Sequence, residues 1–187
     1  LIEVRHTALD GWGKVLKRVI DVAGSAAGLV ALAPFFGVIA VLVRLDSKGP
    51  VFVALSRVSM GKIFKLYKFR SMIPNAVQYL KSHPDLYEKY KKCSFKLQDD
   101  PRVTKVGKFI RKYSIDETPQ FINVLKGEMS LIGPRPYYPD EISIQQQKYP
   151  HTKKLIESAL SVKPGITGLW QVTGRSEINF DKRVELD

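Results

Sequence analysis

Residues 22–43 read VAGSAAGLVALAPFFGVIAVLV, a run without a single charge. As a straight helix at ~1.5 Å per residue it would just reach across a bilayer core of ~30 Å. A buried helix of a water-soluble domain is the competing reading. A cleaved signal peptide is excluded by the length of the run and by basic residues on both flanks: Lys14, Lys17 and Arg18 before it, Arg44 and Lys48 after it. Flanking positive charge favours the cytoplasmic side, so both ends are drawn to the same face. Pro34 sits near the middle, where it removes one intrahelical hydrogen bond and its ring clashes with the preceding turn. Two half-helices of about 18 and 14 Å reach only partway into the hydrocarbon. The sequence therefore predicts a re-entrant helix-break-helix over residues 14–48, broken at Pro34 and entering and leaving by one leaflet.

Outside that run the chain is strongly basic. Its 187 residues include 30 Lys and Arg against 18 Asp and Glu, a formal net charge of +12. Such an excess points to nucleic acid, anionic lipid or phosphorylated substrates. The length suits one domain with one core. Cys93 is the single cysteine, so no internal disulfide can form. Residues 1–13, LIEVRHTALDGWG, read as a linker from a preceding region, with His6 and Trp12 as packing or interfacial groups. Position 1 is not Met and the chain stops at VELD, so both ends are expected to be truncations. The remainder, residues 49–187, is the second part of the chain.

Within it, Val51–Leu55 and Ile63–Phe69 read as a β-hairpin around Met60-Gly61-Lys62. Helices broken near Pro84 are expected over 75–92, and a short helix with Val106, Phe109 and Ile110 on its apolar face delivers Arg111. Surface helices are expected over Glu141–Tyr149 and Thr152–Leu160, separated by Pro150. His151 has no partner at metal-ligand spacing.

The chemistry concentrates in RKYSIDETPQFINVLKGEMSLIGPRP, residues 111–136. Asp116 and Glu117 stand side by side just ahead of Pro119. Ser114 and Glu117 fit a capping box, but that start would bury Pro119 too deep in the helix. Thr118 as cap with Pro119 in the first helical position fits better, with Phe121, Ile122, Val124 and Leu125 buried and Gly127 closing the helix. Both acids then lie at or just before a helix N-terminus, where anions are favoured. Neighbours in sequence do not share a helix face, so a proton-sharing dyad is disfavoured and a division of labour is expected: one carboxylate attacks, the other holds a metal. Attack on a charged phosphorus needs Mg²⁺ and arginines to offset repulsion. Arg111, Lys112 and Arg135 are candidate clamps, Arg135 being held between Pro134 and Pro136. In KPGITGLWQVTGR (163–175), Gly165, Gly168 and Gly174 allow close backbone approach, Trp170 offers a flat apolar face and Arg175 a phosphate fork. An ordinary Gly-rich loop with a core Trp is the alternative.

The 111–136 stretch resembles the signature of the bacterial sugar transferases, the monotopic phosphoglycosyl transferases that start glycan assembly on polyprenol phosphate. KFRSM (68–72), DPRVTKVGKFIR (100–111) and KPGITGLWQVTGR (163–175) are similar to further family blocks, in the family's order. The resemblance runs from about Lys14 to the end of the chain. It implies the same re-entrant topology, with Ala33-Pro34 standing where the family commonly has Ser-Pro. It also implies a mainly helical α+β fold, in which a cytoplasmic catalytic domain with a small β-hairpin follows the membrane segment.

By the same resemblance, Asp116 is the nucleophile and forms a covalent phospho-sugar intermediate, and Glu117, with Asp116, holds Mg²⁺. Arg111 and Arg135, with Lys68 and Arg70, steady phosphates, and Gly165, Gly168, Trp170 and Arg175 take part in nucleotide-sugar binding. The expected reaction moves a sugar 1-phosphate from a UDP-sugar to undecaprenyl phosphate, releasing UMP, on the cytoplasmic face of the inner membrane. Tyr137-Tyr138-Pro139 looks more like members that transfer galactose or glucose than those using N-acetylated amino sugars, which stay the alternative. A non-catalytic membrane scaffold is opposed by the intact acid pair. A nucleic-acid-binding domain would leave residues 22–43 without a role, and no such motif is present. Nothing in the sequence encodes an oligomeric state.

Overall fold

A computed structural model describes residues 11–92, 97, 99–173 and 180–186. His6, Cys93, Gly174 and Arg175, on which the sequence bears expectations, lie outside the described residues. The fold is mostly helical, with one long apolar helix near its start and two small two-stranded sheets.

Helix α1 spans Trp12–Asp46, with Pro34 inside it. Helical structure is continuous through Ala33-Pro34, so the expected break is not an interruption of the helix. Only 11% of the most apolar stretch of α1 is buried, which removes the buried-core reading of this segment.

The rest follows in order: β1 (Phe52–Ser59) and β2 (Lys62–Phe69) form a hairpin, then α2 (Ala76–Lys81), α3 (Pro84–Lys92) and α4 (Lys105–Lys112). Met60 and Gly61 both have positive φ, the conformation a tight hairpin turn requires. A 3-10 turn over Ile115–Gln120 leads into α5 (Phe121–Lys126), β3 (Ser130–Ile132) and α6 (Pro139–Lys148). After a short turn come α7 (Lys153–Leu160), β4 (Gly165–Thr167), α8 (Leu169–Thr173) and α9 (Phe180–Leu186). Strands β3 and β4 pair in parallel, Ser130 opposite Gly165 and Ile132 opposite Thr167, a second sheet the sequence did not suggest.

The chain divides into two compact units. One comprises residues 1–31, 56–64 and 120–187; the other comprises 32–55 and 65–119.

In the first unit a stripe of small residues on α1 meets the later chain. A Cβ at Gly24 would lie 2.8 Å from Leu131 Cδ1, and one at Gly28 would lie 3.1 Å from the Phe121 ring. Asp21, on the same stripe, is buried and accepts from Leu131 N at 2.9 Å, from Ser130 Oγ and from Lys17. Arg18 donates to Val124 O and Leu125 O, at 2.6 and 2.9 Å, and so closes the last turn of α5. The other faces of this half expose Val15, Leu16, Val19, Ile20 and Val30. A separate core gathers Tyr137, Ile156, Ala159, Phe180 and Val184.

In the second unit Ile39 and Val43 of α1 pack with Phe69 and Ile110. Phe36 meets Phe69 edge-on at 5.2 Å. Polar groups finish the end of α1: Arg70 donates to Val43 O and Ser47 O, and Asp46 accepts from Val106 N at 2.9 Å, ordering the start of α4.

Candidate active site

Asp116 and Glu117 occupy the first turn of the 3-10 segment, after Ser114 in a left-handed conformation (φ 57°). This corrects the expected cap. Thr118 donates its hydroxyl to Ile115 O at 2.8 Å, and Pro119 lies inside the 3-10 turn rather than first in α5. A tighter turn tolerates the proline because its ring faces no fully formed α-helical turn before it. The apolar faces need smaller corrections: Val124 and Ile110 are fully buried, whereas Ile122 and Phe109 are exposed. Gly127 closes α5 with φ 81°, as read.

The two acids differ in surroundings. Asp116 is buried, 6% exposed. Burial pushes its carboxyl above the ordinary value; the Lys68 ammonium pulls it back, the Glu117 carboxylate adds to the rise, and Arg111 opposes it. Lys68 Nζ lies 2.5 Å from Glu117 Oε1 and 4.0 Å from Asp116 Oδ2. Lys68 reaches them from the end of β2. Arg111 comes from the last turn of α4, where Nε donates to Ser71 Oγ at 2.8 Å and leaves the rest of the guanidinium exposed. Gly107 makes that placement possible. A Cβ there would lie 2.0 Å from Ser71 O, so only glycine lets α4 approach this close to the segment that follows β2.

The structure thus brings Asp116, Glu117, Lys68 and Arg111 together. Arg70, from the same KFRSM block, donates through Nη2 to the carbonyls at the end of α1. Asp100 and Arg102 form a buried bidentate pair at 2.8 and 2.6 Å. That pair fixes the loop before α4 and has no sequence signal beyond its spacing.

Arg135, Gly165, Gly168 and Trp170 belong to the other unit. Arg135 is half-buried between its prolines. The close approach at the glycines is to the chain itself: a Cβ on Gly165 would lie 2.1 Å from Gly133 N, and one on Gly168 would lie 2.4 Å from Gly133 O. Their absent side chains let β3 and β4 pair, whatever else passes nearby. Trp170 stands in α8.

Among the described residues no group of three His, Cys, Asp or Glu side chains forms a metal cage. Two adjacent carboxylates suit Mg²⁺ all the same, since that ion is held by one or two carboxylates and completes its shell with water and substrate phosphates. The donor set fits.

The family model described as "Bacterial sugar transferase" matches residues 12–187. The chain is 47% identical over 179 residues to the galactosyl transferase CpsE of Streptococcus agalactiae, covering 92% of this chain and 37% of that protein. It is 39% identical over 180 residues to the exopolysaccharide production protein ExoY of Sinorhizobium fredii, covering 94% and 76% respectively. It is 40% identical over 192 residues to the undecaprenyl-phosphate galactose phosphotransferase of Salmonella typhimurium, covering 100% and 38%. The chain therefore spans little more than a third of two of these relatives and about three quarters of ExoY. With a family model covering nearly its whole length and ExoY matched over most of its own, the chain belongs to the bacterial sugar transferase family.

Proposed function

We propose that this chain transfers a hexose 1-phosphate, galactose or glucose, from a UDP-sugar to undecaprenyl phosphate, with Asp116 as nucleophile. The observation that carries the proposal is a buried carboxylate with a lysine at 4.0 Å and an arginine acting on it. Burial strips the carboxylate of water, which raises its nucleophilicity, while Lys68 and Arg111 keep enough of it ionised to attack. An Asp116 oxygen attacks the β-phosphorus of the UDP-sugar. The bond from that phosphorus to the oxygen bridging the α-phosphate breaks, and UMP leaves with the electron pair. An oxygen of the lipid phosphate then attacks the same phosphorus, the aspartyl–phosphorus bond breaks, and the carboxylate is restored. Glu117 and Asp116 are the residues that would hold Mg²⁺, which would supply charge neutralisation for the diphosphate. Lys68 orients Glu117, and Arg111, anchored through Nε on Ser71, presents its remaining donors to phosphate oxygens.

The names of the relatives, a galactosyl transferase and a galactose phosphotransferase among them, support the hexose reading over an N-acetylated amino sugar. The sugar acceptor is a lipid, and the long apolar helix supports a site at headgroup depth.

Both ends of α1 are bonded to later parts of the chain: Arg18 and Asp21 to residues 124–131, Asp46 and the carbonyls near it to Val106 and Arg70. In this reading both ends of α1 lie on the cytoplasmic face, as the basic residues on its two flanks favour. Labelling of single cysteines at positions 13 and 47 in sealed vesicles tests this, with reaction from one side only expected at both positions. Opposite-side labelling contradicts it. For the reaction itself, UMP release with a panel of UDP-sugars and undecaprenyl phosphate is the test, galactose or glucose donors being the active ones.

A further inference from the structure

Asp46 closes α1, and a carboxylate is electrostatically misplaced there, since the carbonyl end of a helix repels negative charge. Its use lies in the next part of the chain. Asp46 Oδ2 accepts from Val106 N at 2.9 Å, in the first turn of α4, and Thr104 Oγ1 accepts from Gly107 N at 3.0 Å. Of the donors left open at the start of α4, one is satisfied by the helix's own cap and another by the end of the apolar helix.

At eight residues, α4 is too short to hold itself in place, so its position is set by what it touches. One turn on from Val106, Ile110 is fully buried and packs with Ile39 and Val43 of α1 and Phe69 of β2. Helix α4 therefore rests on the last turns of α1 through a charged tie at its start and an apolar contact near its end. The residue after Ile110 is Arg111, whose Nε donates to Ser71 Oγ and whose charge acts on Asp116. The end of β2 is drawn to the same place: Arg70, two residues beyond Lys68, donates through Nη2 to Val43 O and Ser47 O. Both cations of the site are thus rooted on one end of α1.

We propose that Asp46 is a positioning residue for Arg111, holding α4 by its first turn so that the guanidinium meets phosphate oxygens from a fixed direction. The inference rests on the transfer reaction proposed above, and adds to it a residue outside the constellation of acids and cations. It makes the end of α1 part of the scaffold of the site.

The test uses the full chain in nanodiscs and measures UMP release and hydrogen exchange of the α4 amides, at a temperature where every variant is folded. Asp46→Ala should lower kcat/KM about tenfold, the scale of a slight misplacement at a reacting centre. Asp46→Asn keeps an oxygen for Val106 N and should stay within about threefold of wild type. In an Arg111→Lys background, where the bond to Ser71 and the fork are already lost, Asp46→Ala should cost less than about twofold more. A merely structural Asp46 would lower the melting temperature and cost activity equally in both backgrounds, which would overturn the proposal. Wild-type turnover in Asp46→Ala would overturn it as well. Should Asp46→Ala fail to fold, Asp46→Glu carries the same cycle, its longer side chain pushing α4 off its seat, and equal losses in both backgrounds would again overturn the proposal. Exchange at residues 106–111 should quicken in Asp46→Ala and return towards wild type in Asp46→Asn; unchanged exchange would overturn the tie itself. Absence of UMP release by the wild-type chain, with that exchange response intact, would contradict the proposed reaction and leave the tie between Asp46 and α4 standing.

Discussion

Lys68 Nζ makes its 2.5 Å contact with Glu117 and stands 4.0 Å from Asp116, so one ammonium serves both acids and is nearer the one assigned to the metal. Lys68 is the largest influence holding the Asp116 carboxyl down against its burial. Lys68→Met should therefore let the Asp116 pKa rise further and move the ascending limb of the pH–rate profile to higher pH. A loss of roughly a hundredfold in kcat is expected from removing one such charge. An unmoved ascending limb would take Lys68 out of this role.

The same electrostatics give a stability prediction for Asp116 itself. Its folded pKa is raised, so the folded state binds the proton more tightly than the unfolded chain does, and stability declines as pH climbs above the ordinary aspartate value. Asp116→Asn removes the buried charge. Measured without divalent cations, it should melt higher than wild type at pH 7, and the gap should close as pH falls to the range where the wild-type carboxyl is protonated. A lower melting point at pH 7 would mean that the anion is stabilised where it sits.

Gly107→Ala places a methyl group 2.0 Å from a backbone oxygen of Ser71, which cannot move cheaply. The expected cost is about 1–3 kcal/mol, together with a fall in kcat because Arg111 leaves Ser71 with α4. Thermal unfolding and turnover measured on the same preparation check both, and wild-type values would contradict the tight packing of α4.

Asp21 is buried on α1 and holds Lys17, Ser130 and Leu131 together. Asp21→Ala should cost about 2–3 kcal/mol, a drop of several degrees in melting temperature. Asp21→Asn, keeping one acceptor oxygen, should fall between. A neutral Asp21→Ala would show that the small-residue stripe alone holds this half of the helix.

Much of this was legible in the sequence because the decisive signals are local. An uncharged run announces a long helix, Met-Gly between two β-rich runs announces a hairpin, and Gly127 announces the end of α5. The acid pair and Lys68 could be assembled only by resemblance, since 49 residues separate Lys68 from Glu117 and nothing local links them. Three features were beyond local reading. Pro119 was drawn into a 3-10 turn. Asp21 ties α1 to β3, and no local pattern marks it for that role. Arg57 sits in a strand whose neighbours are ordinary, and only the fold reveals that its guanidinium is buried beneath Tyr138.

The central claim is that Asp116 carries the sugar phosphate during turnover. Its most direct measurement is intact-mass and peptide mass spectrometry of the chain after brief exposure to UDP-hexose without lipid acceptor. The account predicts a gain of one hexose phosphate, localised to the peptide containing Asp116, discharged by undecaprenyl phosphate and absent from Asp116→Asn. An active enzyme that shows no adduct and requires both substrates bound before UMP appears would contradict it.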